Sequence, residues 1–144
     1  MKIRPAVDTD AAALAAMEKS QPRAAGWGES GFAAEIKLPA ALILCAQQDG
    51  QLIGFIAARA AGGVAEILNV AVLAGQEKRG IGRRLLTEML VALKKQGVQQ
   101  VSLEVAQDNT AACALYEKAG LVRLGQRKDF YGPGRSAWIL GKPL

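Results

Sequence analysis

A chain of 144 residues is long enough for one hydrophobic core and too short for two ordinary domains, so a single domain over residues 1–144 is expected to hold any site. With 51% apolar and 22% charged residues the composition is that of a globular protein and not of a disordered one, and no apolar run approaches the roughly 20 residues that span a bilayer. The 18 basic and 13 acidic residues leave a net charge of +5 with no histidine; this favours an anionic ligand and removes Ser-His-Asp and Cys-His nucleophilic systems together with most zinc and iron sites.

Met1-Lys2-Ile3-Arg4-Pro5 has no continuous apolar stretch ahead of Asp8 and Asp10, so it reads as a first strand and not as a signal peptide, and a cytoplasmic protein is expected. Asp8 or Thr9 is suited to cap a helix running to Lys19, because an oxygen side chain there accepts from the free amides of the first turn. Gln21 to Gly28 is a loop containing Trp27, and a short helix covers about Ser30 to Leu38. Ala41 to Gln48 and Gln51 to Ala60 are apolar runs joined at Asp49-Gly50, which tolerates the positive φ of a tight hairpin. Gly62-Gly63 turns the chain into a third strand, Ala65 to Val72.

Gly80 to Gln96 reads as a helix with Leu85, Leu86, Met89, Leu90 and Leu93 on one face and Gly97 as its stop. Val98 to Val105 alternates as a strand, Asn109 caps a helix to Ala119, and Leu121 to Tyr131 with Ser136 to Leu140 form a closing strand pair. The order βααβββαβαββ is an α+β, or mixed α/β, layout around one central, mostly antiparallel sheet.

A strand ending in Val70-Ala71-Val72 and followed by Gln76-Glu77-Lys78-Arg79-Gly80-Ile81-Gly82-Arg83-Arg84 presents unpaired backbone N–H groups at the positive end of a helix dipole, which is an anion site. Gly80 and Gly82 lack a β-carbon and let a diphosphate approach, and Lys78, Arg79, Arg83 and Arg84 add charge. A glycine turn with solvated cations has the same signature, so the spacing alone leaves both readings open. A dinucleotide fingerprint would need a third glycine where Leu85 stands, and a Walker loop would need Gly-Lys-Ser/Thr.

Gly80-Ile81-Gly82 resembles the end of the Q/R-x-x-G-x-G/A signature of the GNAT acetyltransferases, with Glu77 where that family has Gln or Arg. Leu103-Glu104-Val105, Asn109, Ala112, Leu115-Tyr116 and Gly120-Leu121 resemble the L-E-V-x-x-x-N-x-x-A-x-x-L-Y-x-x-x-G-F segment of the bacterial ribosomal-protein-alanine N-acetyltransferases. The resemblance implies a GNAT-type fold and acetyl-CoA as cofactor. It also implies that Val70, Ala71 and Val72 lie along the acetyl-pantetheine arm, and that Lys78, Arg79, Gly80, Ile81, Gly82 and Arg83 surround the pyrophosphate. Asn109 is implied as a cofactor contact, Glu104 as general base and Tyr116 as general acid.

The chemistry suits those roles. An amine that attacks a thioester sheds a proton, which a strand carboxylate beside the cleft can take, and the departing thiolate needs a donor that is neutral at pH 7, as a phenol is. Cys45 and Cys113 form no CxxC pair, so neither a disulfide nor a metal site is expected, and Cys113 reads as a buried small hydrophobe and not as a nucleophile.

Gly26-Trp27-Gly28 with Phe32, and Arg127-Lys128-Asp129-Phe130-Tyr131, resemble segments that flank the acceptor cleft in the same acetyltransferases. This makes Trp27 and Tyr131 candidate substrate contacts. The leading expectation is a peptide α-amine acetyltransferase acting on a protein N-terminus; the alternatives are a GNAT for small amines and a non-catalytic acetyl-CoA-binding module. No membrane or direct nucleic-acid partner is expected, and a monomer or weak homodimer is.

Overall fold

The computed structural model describes all residues, Met1–Leu144. Its elements are β1 (Lys2–Pro5), a 3-10 turn (Asp8–Asp10), α1 (Ala11–Lys19), α2 (Gly28–Ile36), β2 (Ala41–Gln48), β3 (Gln51–Ala61), β4 (Val64–Val72), α3 (Ile81–Lys95), β5 (Gln100–Ala106), α4 (Thr110–Lys118), β6 (Val122–Arg127) and β7 (Ala137–Pro143). The order matches the sequence expectation. The first helix, however, opens with a 3-10 turn, because the Asp10 carboxylate is taken up by the Val7 N–H at 2.7 Å and by two Arg4 nitrogens at 2.8 and 2.9 Å. The strand expected from Val98 begins two residues later, since buried Val98 packs under the sheet while its N–H donates to Leu93. The β6 strand stops at Arg127, where Asp129 adopts φ 56° and the loop folds on itself.

The seven strands form one sheet in the order β1-β2-β3-β4-β5-β7-β6. Every neighbouring pair is antiparallel except β4 and β5, which run parallel. Asp49 (φ 51°) and Gly50 (φ 78°) make the β2–β3 hairpin. One face is covered by α3 and α4, whose Ile81, Leu85, Leu86, Met89, Leu93, Cys113 and Tyr116 join Ile56, Ile67, Leu103 and Leu140 in the larger core. The other face packs α1 and α2 through Leu14, Met17 and Phe32 against Ile43, Cys45, Phe55 and Ala71.

Two irregularities shape the middle of the sheet. Opposite β3 the register slips between Ala57 and Ala58, so that Ala57 pairs with Asn69 and Ala58 with Ile67, and Leu68 bulges from β4. A bulge bends its strand and strengthens its twist. The β4–β5 pairing runs only from Val64↔Gln100 to Ile67↔Leu103, so beyond the bulge Asn69–Val72 and Glu104–Ala106 diverge and leave an opening in the sheet. No helix is long and apolar enough to cross a membrane.

Candidate active site

The opening between β4 and β5 ends at the loop that precedes α3. Lys78 (φ 64°) and Gly80 (φ 77°) both occupy the left-handed region, which turns successive amides toward one side as an anion-binding nest. From Lys78 through Arg83 the backbone N–H groups donate to no acceptor in the protein, and a β-carbon placed on Gly80 would meet open space. Six free amides at the head of a 15-residue helix, with Lys78, Arg79 and Arg83 exposed beside them, fit a diphosphate. Ile81 contributes its backbone only, since its side chain is 3% exposed in the core. Arg79 is held by the Gln76 side chain.

Glu77, the departure from the family signature, braces this loop at the surface. Its carboxylate accepts from Gly75 N–H at 2.8 Å and from Gln21 Nε2 at 2.9 Å, and the same Gln21 nitrogen donates to Val72 O at 2.7 Å. Val70 and Val72 pack at the edge of the larger core. Ala71 points the other way, into the core under α1 and α2, so of these three it offers the opening only its backbone.

Glu104 sits on the β5 face opposite Leu103, half-buried, with Oε1 3.0 Å from Arg127 Nε on β6. Its Oε2 makes no hydrogen bond within the protein. Tyr116 comes from α4 on the other side of the sheet. Its ring is buried, yet its hydroxyl has no protein partner, and no buried polar side-chain atom is left unsatisfied; the hydroxyl tip therefore reaches solvent. Burial, then the neighbouring Tyr131, pushes the Tyr116 phenol up to about 12. Burial, then the Glu104 charge, likewise raises Tyr131. Tyr131 thus lies near enough to both Glu104 and Tyr116 for their charges to be felt, although those two originate on opposite faces of the sheet.

Asn109 spends its side-chain oxygen on capping α4, accepting from Ala112 N–H at 3.3 Å, which leaves its amide nitrogen as the group available to a ligand. Trp27 is half-buried against Phe32, ring centroids 5.2 Å apart. On its outer side a shallow groove toward Leu68 and the Glu35–Arg59 ion pair is lined by neither Glu104 nor Tyr116. Tyr131 lies edge-on to Phe130 at 4.9 Å, and the loop bearing it is closed by Asp129, which accepts from Gly134 N–H at 2.8 Å. Arg23, in the Trp27 loop, reaches Asp108 after β5 at 3.1 Å, joining two walls of the opening.

Both cysteines are free and buried. Burial pushes the Cys45 thiol up to about 12 and also raises Cys113, which disfavours a nucleophilic thiolate at either. Two site features escaped the sequence reading. Arg127 was visible only as part of an aromatic-basic segment, and its partnership with Glu104 depends on the β5-β7-β6 strand order. Glu18 carries a signal that was there to find: a carboxylate four residues after Leu14, on the same apolar stripe of α1.

The acetyltransferase (GNAT) family model matches residues 11–121 of this chain. A [Ribosomal protein bS18]-alanine N-acetyltransferase of Escherichia coli (strain K12) is 34% identical over 84 residues, which are 58% of this chain and 57% of that enzyme. The alignment therefore spans little more than half of that relative's length. An N-alpha-acetyltransferase RimI of Mycobacterium tuberculosis is 36% identical over 109 residues, 73% of this chain and 67% of the relative. In three dimensions, the crystal structure of the ribosomal-protein-S18-alanine N-acetyltransferase from Escherichia coli superposes with a TM-score of 0.87 at 30% identity, over 99% of this chain and 92% of that one.

Proposed function

The chain belongs to the acetyltransferase (GNAT) family, and from that premise we propose that it transfers an acetyl group from acetyl-CoA to the α-amine of a protein N-terminus by direct attack in a ternary complex. What supports the proposal is that β4 and β5 part beside Glu104, a carboxylate with a free oxygen, that Tyr116 carries a hydroxyl with no protein partner, and that six unpaired amides follow the end of β4. Acetyl-CoA supplies an activated thioester when bound. Lys78 through Arg83 would hold its diphosphate, and Val70 and Val72 would flank its arm.

An attacking nitrogen must arrive neutral and loses a proton as the C–N bond forms. Glu104 accepts that proton through Oε2 while Arg127 holds Oε1, directly or through one water. The Tyr116 hydroxyl, with no protein partner, would be the donor available to the departing sulfur. With its phenol near 12 and an alkyl thiol near 8.5, handing over the whole proton runs uphill by about 5 kcal/mol. Tyr116 therefore stabilises the developing thiolate first as a hydrogen-bond donor, and completes the transfer to sulfur only as the amine's proton, held on Glu104, is passed on to the phenolate through solvent.

The acceptor assignment rests on the Trp27 and Tyr131 walls and on the names of the relatives, which describe acetylation at protein N-termini. The test is CoA release from acetyl-CoA with a short peptide bearing a free N-terminal alanine, beside the same peptide blocked at its N-terminus and beside spermine. Turnover only with the free terminus is expected. Turnover only with spermine would move the acceptor to a small amine, and acetyl-CoA binding without turnover of any amine would leave a binding module.

A further inference from the structure

The loop that carries Trp27 is fixed by an arrangement that neither the transfer chemistry nor the cofactor cradle uses. Four successive backbone N–H groups are captured by two side chains. Ala25 donates to Asn69 Oδ1 at 3.2 Å, Gly26 and Trp27 each donate to Glu18 Oε2 at 2.9 Å, and Gly28 donates to Glu18 Oε1 at 3.1 Å. Asn69 Nδ2 closes the set by donating to Glu18 Oε2 at 2.8 Å. Both side chains are buried, at 4% exposure each.

A carboxylate this deep is costly unless every lone pair is engaged. Burial alone pushes the Glu18 carboxyl up, yet the amides of Trp27 and Gly28, the Asn69 side chain and the Gly26 amide together outweigh burial and hold it below its usual range. It is a fixed anion in a ring of donors. The loop needs such an anchor, because glycines at positive φ, Gly26 at 78° and Gly28 at 71°, stand on both sides of Trp27 and give the backbone little stiffness of its own.

The anchor points matter as much as the bonds. Asn69 lies on β4 at the bulge, immediately before Val70. Glu18 lies in the last turn of α1, and the residues that follow it grip the cofactor loop: Ser20 Oγ accepts from Ala74 N–H at 3.4 Å, and Gln21 donates to Val72 O and Glu77. One stretch of four residues, Glu18 to Gln21, therefore holds the Trp27 wall with its first member and the diphosphate loop with its last two.

We propose that Glu18 and Asn69 are positioning residues for the acceptor: they lock Trp27 in register with β4, so that the wall receiving the amine keeps a fixed separation from the strand along which the acetyl arm lies. This rests on the transferase reading given above, and it predicts a split that a merely structural residue would not produce. Misplacing a reactant by a fraction of an ångström weakens productive acceptor binding, while the amide cradle on the far side of β4 is left intact.

The test uses a Trp138→Phe background, in which Trp27 is the single remaining tryptophan of the two. Glu18→Gln keeps shape but removes charge; Asn69→Ala removes the second anchor and carries the test if the first variant does not fold. Asp10→Asn, a buried carboxylate held by Arg4 and Val7, controls for simple destabilisation. For Glu18→Gln and Asn69→Ala the acceptor-peptide KM is expected to rise about tenfold, the loss of one or two hydrogen bonds to a charged group. The calorimetric Kd of acetyl-CoA should stay within about twofold, and acrylamide should quench Trp27 more strongly; Asp10→Asn should lower Tm without moving KM. Unchanged KM, or KM and Kd rising together, overturns the proposal. If the unaltered protein acetylates no amine, the transferase reading has failed by itself, and quenching still decides the anchor: unchanged Trp27 accessibility in both variants shows that Glu18 and Asn69 do not hold the loop.

Discussion

Glu104 on β5 and Arg127 on β6 meet at 3.0 Å across the intervening strand β7, where Ala137, paired with both Ala106 and Arg127, is small enough to let the guanidinium reach back. The Arg127 side chain is 56% exposed, so a pair of this kind contributes no more than about 1 kcal/mol and yields readily to an incoming amine. Replacing Glu104 by Gln keeps the shape and removes the proposed base. We expect kcat to fall by about 10² to 10⁴ with acetyl-CoA affinity unchanged, as read by CoA release and calorimetry; equal rates would take Glu104 out of the reaction.

Tyr116→Phe removes a hydroxyl that has no protein partner, so it leaves no orphaned group and should fold normally. A drop in kcat of at least about tenfold is expected, with little change in acetyl-CoA Kd. The phenol of the unaltered protein is pushed up to about 12, so loss of its proton should not limit the rate anywhere from neutral pH to about pH 10. An alkaline limb near pH 8 that disappears in the phenylalanine variant would contradict that assignment.

Gly80→Val tests the cradle. Space is not the obstacle, because nothing lies within 4 Å of an added β-carbon. The obstacle is φ 77°, which costs an ordinary side chain about 1–2 kcal/mol and a β-branched one more. Relaxing that strain turns the free amides of the nest away from one another. Acetyl-CoA affinity should fall by about tenfold or more, measured by calorimetry, whereas Gly82→Ala, whose new methyl would sit 3.5 Å from Leu115, should be tolerated.

Acid should reveal the two anchored carboxylates. Asp10 is held below its ordinary value, first by Arg4; Glu18 is raised by burial but lowered more by its donors. Both net shifts are downward, so each group adds stability that is present above its ordinary value, 3.8 or 4.5, and is lost as pH falls through the depressed folded value. Glu18→Gln should therefore be less stable than the unaltered protein at pH 7, and the difference should shrink as pH falls below the ordinary carboxylate value of 4.5 and through the depressed folded one. Denaturant titrations at several pH values measure this, and a gap independent of pH would remove the charge from the account.

Local signals in the sequence specified the elements well. Asp49-Gly50, Gly97 and Asn109 stand at turns and caps because their backbone or side-chain chemistry is strictly local, and the Leu85–Leu93 stripe identifies α3 through its period alone. The run of unpaired amides ahead of α3 was legible for the same reason, since a glycine turn opening a helix is a short-range feature. The rest is not local. Where β4 and β5 part depends on a slip opposite Ala57, and Arg127 reaches Glu104 only because β7 inserts between strands distant in sequence. Ala71 and Ile81 lie within the matched motifs but bury their side chains, a distinction that requires knowing which face each helix covers. Asn69 gave a partial signal, an amide inside the apolar run Ile67-Leu68-Asn69-Val70, whose meaning appears only with Glu18 beside it.

The β6 edge carries a consequence of another kind. All six of its residues are exposed, including Val122 and Leu124 at 57% each, and nothing pairs with its outer side. Such an edge is a template for adding strands from further copies of the chain. Here the register breaks between Arg123 and Gly125, and Arg123 and Arg127 flank the break, each engaged by an acid, Glu117 and Glu104. Two copies meeting edge to edge would have to align two kinked strands and bring four arginines together. The residue that holds one oxygen of Glu104 thus also guards the border of the sheet, so neutral substitutions at Arg127 should be judged by their effect on aggregation as well as on turnover.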